Sequence, residues 1–171
     1  MDYQLADHSA TPPTPSSYWV LQSRLLAGAY PGHQDPAEHV DRIHGIVDAG
    51  VHLFLNLMEE NETNYAGQAF VPYADIAARR SPAVRMCRHS IRDLSVPTPD
   101  TMNDILDAID ASLAADNPVY VHCWGGVGRT GTVIGCWLLR HGLAKPDDVL
   151  KVLRDLRQQD SQYPKTPHPT H

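Results

Sequence analysis

Residues 119–139 read VYVHCWGGVGRTGTVIGCWLL. A short apolar run rich in strand formers ends at a cysteine, a glycine-rich loop follows, and an arginine opens a segment with helical periodicity. Each part has a physical task. The strand end holds Cys123 in place. Gly125, Gly126 and Gly128 let the backbone take positive φ and approach a ligand closely. The amides from Trp124 through Val127 to Arg129 can then turn inward as a nest of donors. The helix that follows directs its positive end at the same point, which favours a bound dianion. Arg129 adds a planar fork that holds two oxygens at once.

The same field acts on the sulfur. A free thiol titrates near about 8.5, and about 3.5–7.5 is found beside cations and helix N-termini. Cys123 is therefore expected as the thiolate, the nucleophilic form. A structural cysteine before a glycine turn would leave three loop glycines and Arg129 without a purpose. An ATP-binding loop of the Walker type needs Gly-Lys-Ser/Thr where this chain has Gly-Arg-Thr.

Outward from this stretch, YWVL and RLLA (18–27) flank Gln22-Ser23 like a small hairpin. Strands are expected at 51–58, 84–91 and 119–122, and helices over 36–49, within YADIAARR, and from Arg129 to His141. Thr98-Pro99-Asp100 has the order of an N-cap, a first-turn proline and a first-turn acid, and Lys145-Pro146-Asp147-Asp148 opens a last helix. Alternating strands and helices predict an α/β fold, with a mostly parallel central sheet flanked by helices. Ligands in such sheets bind at the carboxyl ends of strands, here just after 84–91 and 119–122. Residues 18–157 are the expected catalytic domain, between a Pro/Ser/Thr-rich extension (1–17) and a Pro-rich tail (158–171).

Of 171 residues, 42% are hydrophobic and 20% charged, which is ordinary for a globular domain. Fourteen basic against twenty acidic side chains give a charge of −6, which disfavours nucleic acid as a partner. No apolar run approaches the roughly 20 residues of a membrane span, and MDYQLADHSATPPTPSS lacks the order of a signal peptide. Three cysteines and ten histidines show no metal-ligand spacing. The expectation is a reduced, cytoplasmic protein with no metal and no cofactor; composition leaves the oligomeric state open.

His122-Cys123, five residues, then Arg129-Thr130 resembles the signature of the cysteine-dependent protein-tyrosine and dual-specificity phosphatases. CWGGVGRT is especially similar to the kinase-associated phosphatase branch and its bacterial relatives. The resemblance extends over 18–157 through RLLAGAYPG (24–32), NLMEENE (56–62) and IRDLSVP (91–97). It implies a dual-specificity-phosphatase-like fold and a role for each matching residue. Cys123 would attack phosphorus and carry it as a cysteinyl phosphate, while Arg129 and the loop amides hold the equatorial oxygens. Thr130 would donate its hydroxyl to the sulfur, and His122 would orient the loop. Some relatives position the hydrolytic water with a glutamine in a Pro-x-Thr-x-x-Gln stretch; here Pro164-Lys165-Thr166-Pro167-His168-Pro169 has proline in that place.

Cleavage by a thiolate needs a proton for the departing oxygen. Asp100 has a sufficient structural reason at a helix start. Asp93 has none, and by resemblance IRDLSVP is the acid loop, so Asp93 is the expected acid.

The implied substrate is a phosphorylated protein, at tyrosine and at serine or threonine, or a small phosphoester. A phosphoinositide or inositol-phosphate substrate is the alternative, against which the loop WGGVG carries no lysine. A rhodanese-like sulfurtransferase would need neither Asp93 nor Thr130, and a non-catalytic phosphoprotein-binding module would usually lose the cysteine or the arginine. Whether Cys87 or Cys136 would pair with an oxidised Cys123 is left open by the sequence, with Cys87 favoured because its strand could neighbour Cys123 and Cys136 lies well along the following helix. Tyr65, Tyr73, Arg79 and Arg80 in 59–82 are candidates to line the entrance.

Overall fold

In the computed structural model, residues 2–64 and 66–162 are described. Strands β1 (Ser17–Leu21) and β2 (Leu25–Gly28) form an antiparallel hairpin. Then come α1 (Pro36–Asp48), β3 (Leu53–Asn56), α2 (Ala74–Arg80), β4 (Arg85–Arg88), α3 (Pro99–Ala114), β5 (Val119–His122), α4 (Gly128–Arg140) and α5 (Val149–Leu156). The five strands lie in the order β1-β2-β5-β3-β4, and every pairing beyond the hairpin is parallel. This is the expected α/β architecture.

β5 sits at the centre and is buried along its whole length. Its alternate residues feed the two faces of the sheet. Val119 and Val121 join Ile105, Ile109, Val133, Ile134 and Leu153 from α3, α4 and α5 in one core. Tyr120 joins Phe54, Ile43, Ile46 and Ala77 in the other, under α1 and α2. Each cap follows its sequence signal. Asp35 accepts from the Glu38 N–H ahead of Pro36, and Thr98 accepts from the Thr101 N–H ahead of Pro99.

Three expectations change. The strands at 51–58 and 84–91 are shorter, because pairing lasts only where neighbours run alongside: β4 is an edge strand paired with β3 alone. Residues 145–148 form a turn closed by Asp148 Oδ1, which accepts from the Lys145 N–H at 2.7 Å, and the helix begins at Val149. The polar N-terminal segment, expected as an extension, lies against the domain. Tyr3 and Leu5 pack on the core, the Ala6 N–H donates to Val20 O at 2.9 Å, and the Trp19 indole N–H donates to Thr11 O. Past α5, the Gln159 side chain accepts from the Trp19 N–H at 2.7 Å and donates to Trp19 O at 2.8 Å. Residues 163–171, including the proline-rich stretch weighed for a glutamine helper, lie outside the described residues.

Candidate active site

Cys123 follows β5 directly and is buried. The loop turns so that the Gly126 N–H points at its Sγ, 3.3 Å away. Gly126 has φ +78°, and a Cβ there would lie 2.5 Å from the backbone of Gly28 and Ala29, so both conformation and space demand glycine. The Gly131 N–H, bonded to Val127 O, begins the ladder of α4. The amides of Gly128, Arg129 and Thr130 precede that ladder and form the positive end beside the sulfur. Behind the loop, Arg157 Nη2 donates to Val127 O at 2.8 Å and fills the space over Gly131.

Arg129 is almost fully buried. Its Nη1 and Nη2 each donate to one carboxylate oxygen of Glu62 at 2.7 Å, and Nη1 also donates to Ile91 O at 3.0 Å. Its Nε is buried and has no hydrogen-bond partner among the described residues. The Nε–Nη2 edge, the second prong pair of the fork, is thus the one left for a ligand. Burial works against the charge on Arg129. The hydrogen bonds to Glu62, with the charges of Cys123, Glu62 and Asp93, outweigh it, so its pKa lies above the ordinary arginine value.

Asp93 stands on the loop after β4, with Oδ1 3.5 Å from Arg129 Nη2 and its side chain about half exposed (47%). Its Oδ1 accepts from the Leu94 N–H at 3.0 Å, and Leu94 holds φ +61°. Asp100 sits in the first exposed turn of α3, as its helix-start reading requires. The fold brings Cys123, Arg129 and Asp93 to one end of the sheet and leaves Asp100 in a capping turn.

Two expectations need correction. Thr130 is buried, but its hydroxyl donates to Gly28 O at 3.2 Å and not to the sulfur, because a hydroxyl has one proton and this carbonyl lies in reach. Cys87 does not neighbour Cys123, because β3 lies between their strands. Leu55 aligns with Cys87 on one side and Val121 on the other. Two strand spacings and two residues of offset separate the cysteines by roughly 11 Å, beyond the roughly 7 Å a disulfide spans.

His122 is fully buried; its Nε2 lies 2.6 Å from the Tyr73 hydroxyl and its Nδ1 3.3 Å from Cys123 O. Burial pushes its pKa down to about 3, against the pull of the Cys123 carbonyl, so the ring is neutral. Trp124 O accepts from the Tyr30 N–H at 3.1 Å, and the Trp124 ring meets Phe70 edge-on at 6.2 Å. Beside the loop lies a cavity of about 570 Å³, bounded by Tyr30, Phe70 and Tyr73 and by Glu59, Glu62 and Arg88. Of the segment 59–82, residues including Glu59, Glu62, Phe70 and Tyr73 thus line this cavity, whose described walls include no residue of the nucleophile loop itself. Arg79 and Arg80 stand outside that lining, Arg80 being paired with Asp48 at 2.8 Å. Tyr65 lies outside the described residues.

Glu62 and Arg157 are the site residues that sequence reasoning missed. Glu62 lies 67 positions from Arg129 in a polar segment, and no spacing announces the pair. Among the described residues no group of His, Cys, Asp and Glu is arranged to hold a metal, and no helix is long and apolar enough to cross a membrane.

The fold is that of the small dual-specificity phosphatases. A kinase-associated phosphatase carrying a serine in place of its catalytic-site cysteine superposes with TM-score 0.65, at 21% identity over 82% of each chain. Tk-PTP in its active form gives 0.62, at 22% identity over 85% of this chain and 84% of that one. In sequence, an uncharacterised protein of Methanocaldococcus jannaschii is 36% identical over 61 residues, 36% of this chain and 38% of its own length. The dual specificity protein phosphatase CDC14B of Mus musculus is 41% identical over 49 residues, 29% of this chain and 10% of its own. The chain thus matches well under half the length of these curated relatives. Residues 30–143 match the family Tc-R-P, described as the DSP-PTPase phosphatase of polymorphic toxin systems, and the chain belongs to that family.

Proposed function

We propose that this protein hydrolyses phosphate monoesters through a cysteinyl-phosphate intermediate, with phosphorylated proteins as substrates. The observation that carries the reading is the buried Nε of Arg129, which has no hydrogen-bond partner among the described residues, at a loop whose Gly126 amide already faces Cys123 Sγ. A buried donor left open at a cationic loop is a place kept for an anion.

A phosphoryl group would take the Nε–Nη2 edge of Arg129 and the loop amides with its equatorial oxygens. Cys123 Sγ, as thiolate, forms a bond to phosphorus while the ester P–O bond breaks, and Asp93 gives its proton to the departing oxygen. Water then attacks the phosphocysteine, Asp93 takes a proton from it, the S–P bond breaks, and inorganic phosphate leaves. His122 and Arg157 hold the loop from beneath. Thr130, bonded to Gly28 O, anchors the start of α4 to the end of β2. The exposure of Asp93 and the lack of any lysine in WGGVG support an open site for phosphorylated tyrosine, serine and threonine side chains.

The test is Cys123→Ser with p-nitrophenyl phosphate and phosphopeptides. Hydrolysis should fall by at least about 10³-fold, because a hydroxyl of high pKa cannot replace the thiolate, while orthovanadate still binds. Activity within tenfold of wild type refutes the reading.

A further inference from the structure

We infer that the open outer row of β4 is a docking strand for an acidic, extended segment of the protein substrate. This rests on the reading of the chain as a phosphatase of phosphorylated proteins, and adds where such a substrate is held away from its phosphate.

The backbone supplies the first half of the site. β4 has β3 on one side only. The Arg85 N–H donates to His52 O at 2.7 Å and the His89 N–H to Asn56 O at 2.9 Å. Alternate residues of a paired strand turn their peptide groups to the same side. The amides of Arg85, Cys87 and His89 therefore face β3, and those of Met86 and Arg88 face outward. Among the described residues no backbone group meets Met86 or Arg88 from outside. On the opposite outer strand, β1, Ala6 and Gln159 already occupy that row.

Charge supplies the second half. The chain carries −6 overall, yet residues 76–92 hold five arginines and no carboxylate. Arg80 is taken up by Asp48, and the Arg88 guanidinium turns in to donate to Met58 O at 2.5 Å. Arg85 and Arg92 are exposed and form no ion pair among the described residues. The two faces of the strand differ. Arg85 lies on the same face as Cys87, which packs towards the α3 side; Met86, 37% exposed, and Arg88 lie on the other, along the cavity that holds Glu59 and Glu60. A matching strand thus presents carboxylates beside Arg85 and apolar side chains beside Met86. A second copy of this chain is the wrong occupant, because β4 against β4 sets arginine beside arginine.

The row leads to the site. Beyond β4 the chain runs through Ile91, whose carbonyl accepts from Arg129, to Arg92 and then Asp93 at the mouth. With the order β5-β3-β4, a strand added outside β4 lies three strand spacings from the end of β5, where Cys123 stands. Three spacings are about 14 Å, which about four to five extended residues span. The docked segment is therefore separated from the phosphorylated residue by about that many residues. A small ester such as p-nitrophenyl phosphate cannot reach the row, so its turnover is indifferent to it.

The test uses phosphotyrosine peptides with the block Glu-Val-Glu-Val-Glu about five residues from the phosphorylated residue. The block is placed on the amino side in one peptide and on the carboxyl side in another, since an edge accepts either strand direction; controls carry Gln for Glu. In one direction the acidic peptide should show kcat/KM about tenfold above its control at low salt. Arg85→Glu should bring that ratio to about one and leave p-nitrophenyl phosphate hydrolysis unchanged. N-methylation of every second amide in the block should abolish the gain in one register and spare it in the other. Without turnover, the unphosphorylated acidic peptide should shift the ¹⁵N–¹H amide signals of Met86 and Arg88 more than those of Arg85 and Cys87. Equal kcat/KM for acidic and control peptides in both directions overturns the inference, as does a gain that survives Arg85→Glu or is indifferent to both N-methylation patterns. Binding of phosphatidylglycerol vesicles that Arg85→Glu abolishes, with no discrimination between peptides, would overturn it in favour of an anionic lipid surface. Failure of the wild type to hydrolyse p-nitrophenyl phosphate would refute the phosphatase reading instead, and the amide shifts would still decide whether β4 takes an acidic strand.

Discussion

The strongest test of the site's electrostatics is the removal of Glu62. In Glu62→Ala the Arg129 guanidinium, only 3% exposed, loses both carboxylate contacts of 2.7 Å. Breaking a buried ion pair by deleting one partner costs about 3–5 kcal/mol, since the remaining charge stays desolvated. Arg129 keeps Ile91 O at 3.0 Å, and Asp93 lies 3.5 Å away at a solvent-facing mouth. The loss therefore belongs near the lower end, about 3 kcal/mol, and Glu62→Gln, which keeps one acceptor, should lose about half of that. Urea unfolding of the three proteins measures it. Phosphate supplies the missing counter-charge, so it should stabilise Glu62→Ala more than wild type at equal concentration. Binding at a hundred times Kd contributes about 2.7 kcal/mol. The value of kcat/KM for p-nitrophenyl phosphate should fall by about 10²-fold, because a guanidinium free to swing no longer offers its Nε–Nη2 edge in register. A stability loss under about 1 kcal/mol with kcat/KM within threefold of wild type would show that Glu62 neither holds nor balances Arg129.

Asp93→Asn should slow phosphoserine hydrolysis by about 10²–10⁴-fold and aryl esters of good leaving groups far less, whereas Asp100→Asn should cost about 0.3–1 kcal/mol of stability with no leaving-group dependence; rates across esters of graded leaving-group pKa decide, and the steeper dependence in Asp100→Asn reverses the assignment. Mild peroxide should oxidise Cys123 without joining it to Cys87 or Cys136, since both thiols are pushed up in pKa by burial and β3 separates Cys87 from the loop; a Cys123–Cys87 disulfide in peptide maps would contradict the sheet order. His122 stays neutral in the fold down to about pH 3, whereas the unfolded ring gains its proton near about 6.5. Its contribution to stability is thus complete above about 6.5 and is lost as pH falls towards 3, and the slope of unfolding free energy against pH should flatten in His122→Gln.

The nucleophile loop was legible because its chemistry is local: strand, cysteine, glycines and arginine lie within eleven positions and shape one another directly. The same holds for the caps at Asp35 and Thr98, where the deciding hydrogen bond spans three residues. What sequence alone concealed is what the sheet order creates. Glu62 meets Arg129 and Tyr73 meets His122 only because β3 and the segment after it lie beside β5, and no periodicity encodes that adjacency. Cys87 was misplaced for the same reason, since a strand's apolarity says that it is paired but not with which neighbour. Thr130 was misread as the partner of the sulfur, because the Gly28 carbonyl arrives from a hairpin a hundred residues earlier in the chain.

The outer rail of β1 has a bearing on how this domain may be cut. Gln159, arriving from beyond α5, presents its side-chain amide to Trp19 as a neighbouring strand would present a peptide group, and Ala6 does the same for Val20 with its own backbone. The two chain ends thus act together as a substitute strand. A fragment limited to 18–157 would keep every residue proposed for catalysis and still lose that cover. It would expose a hydrogen-bonding edge to which a second copy can add itself, so its expected failing is self-association in solution rather than loss of chemistry.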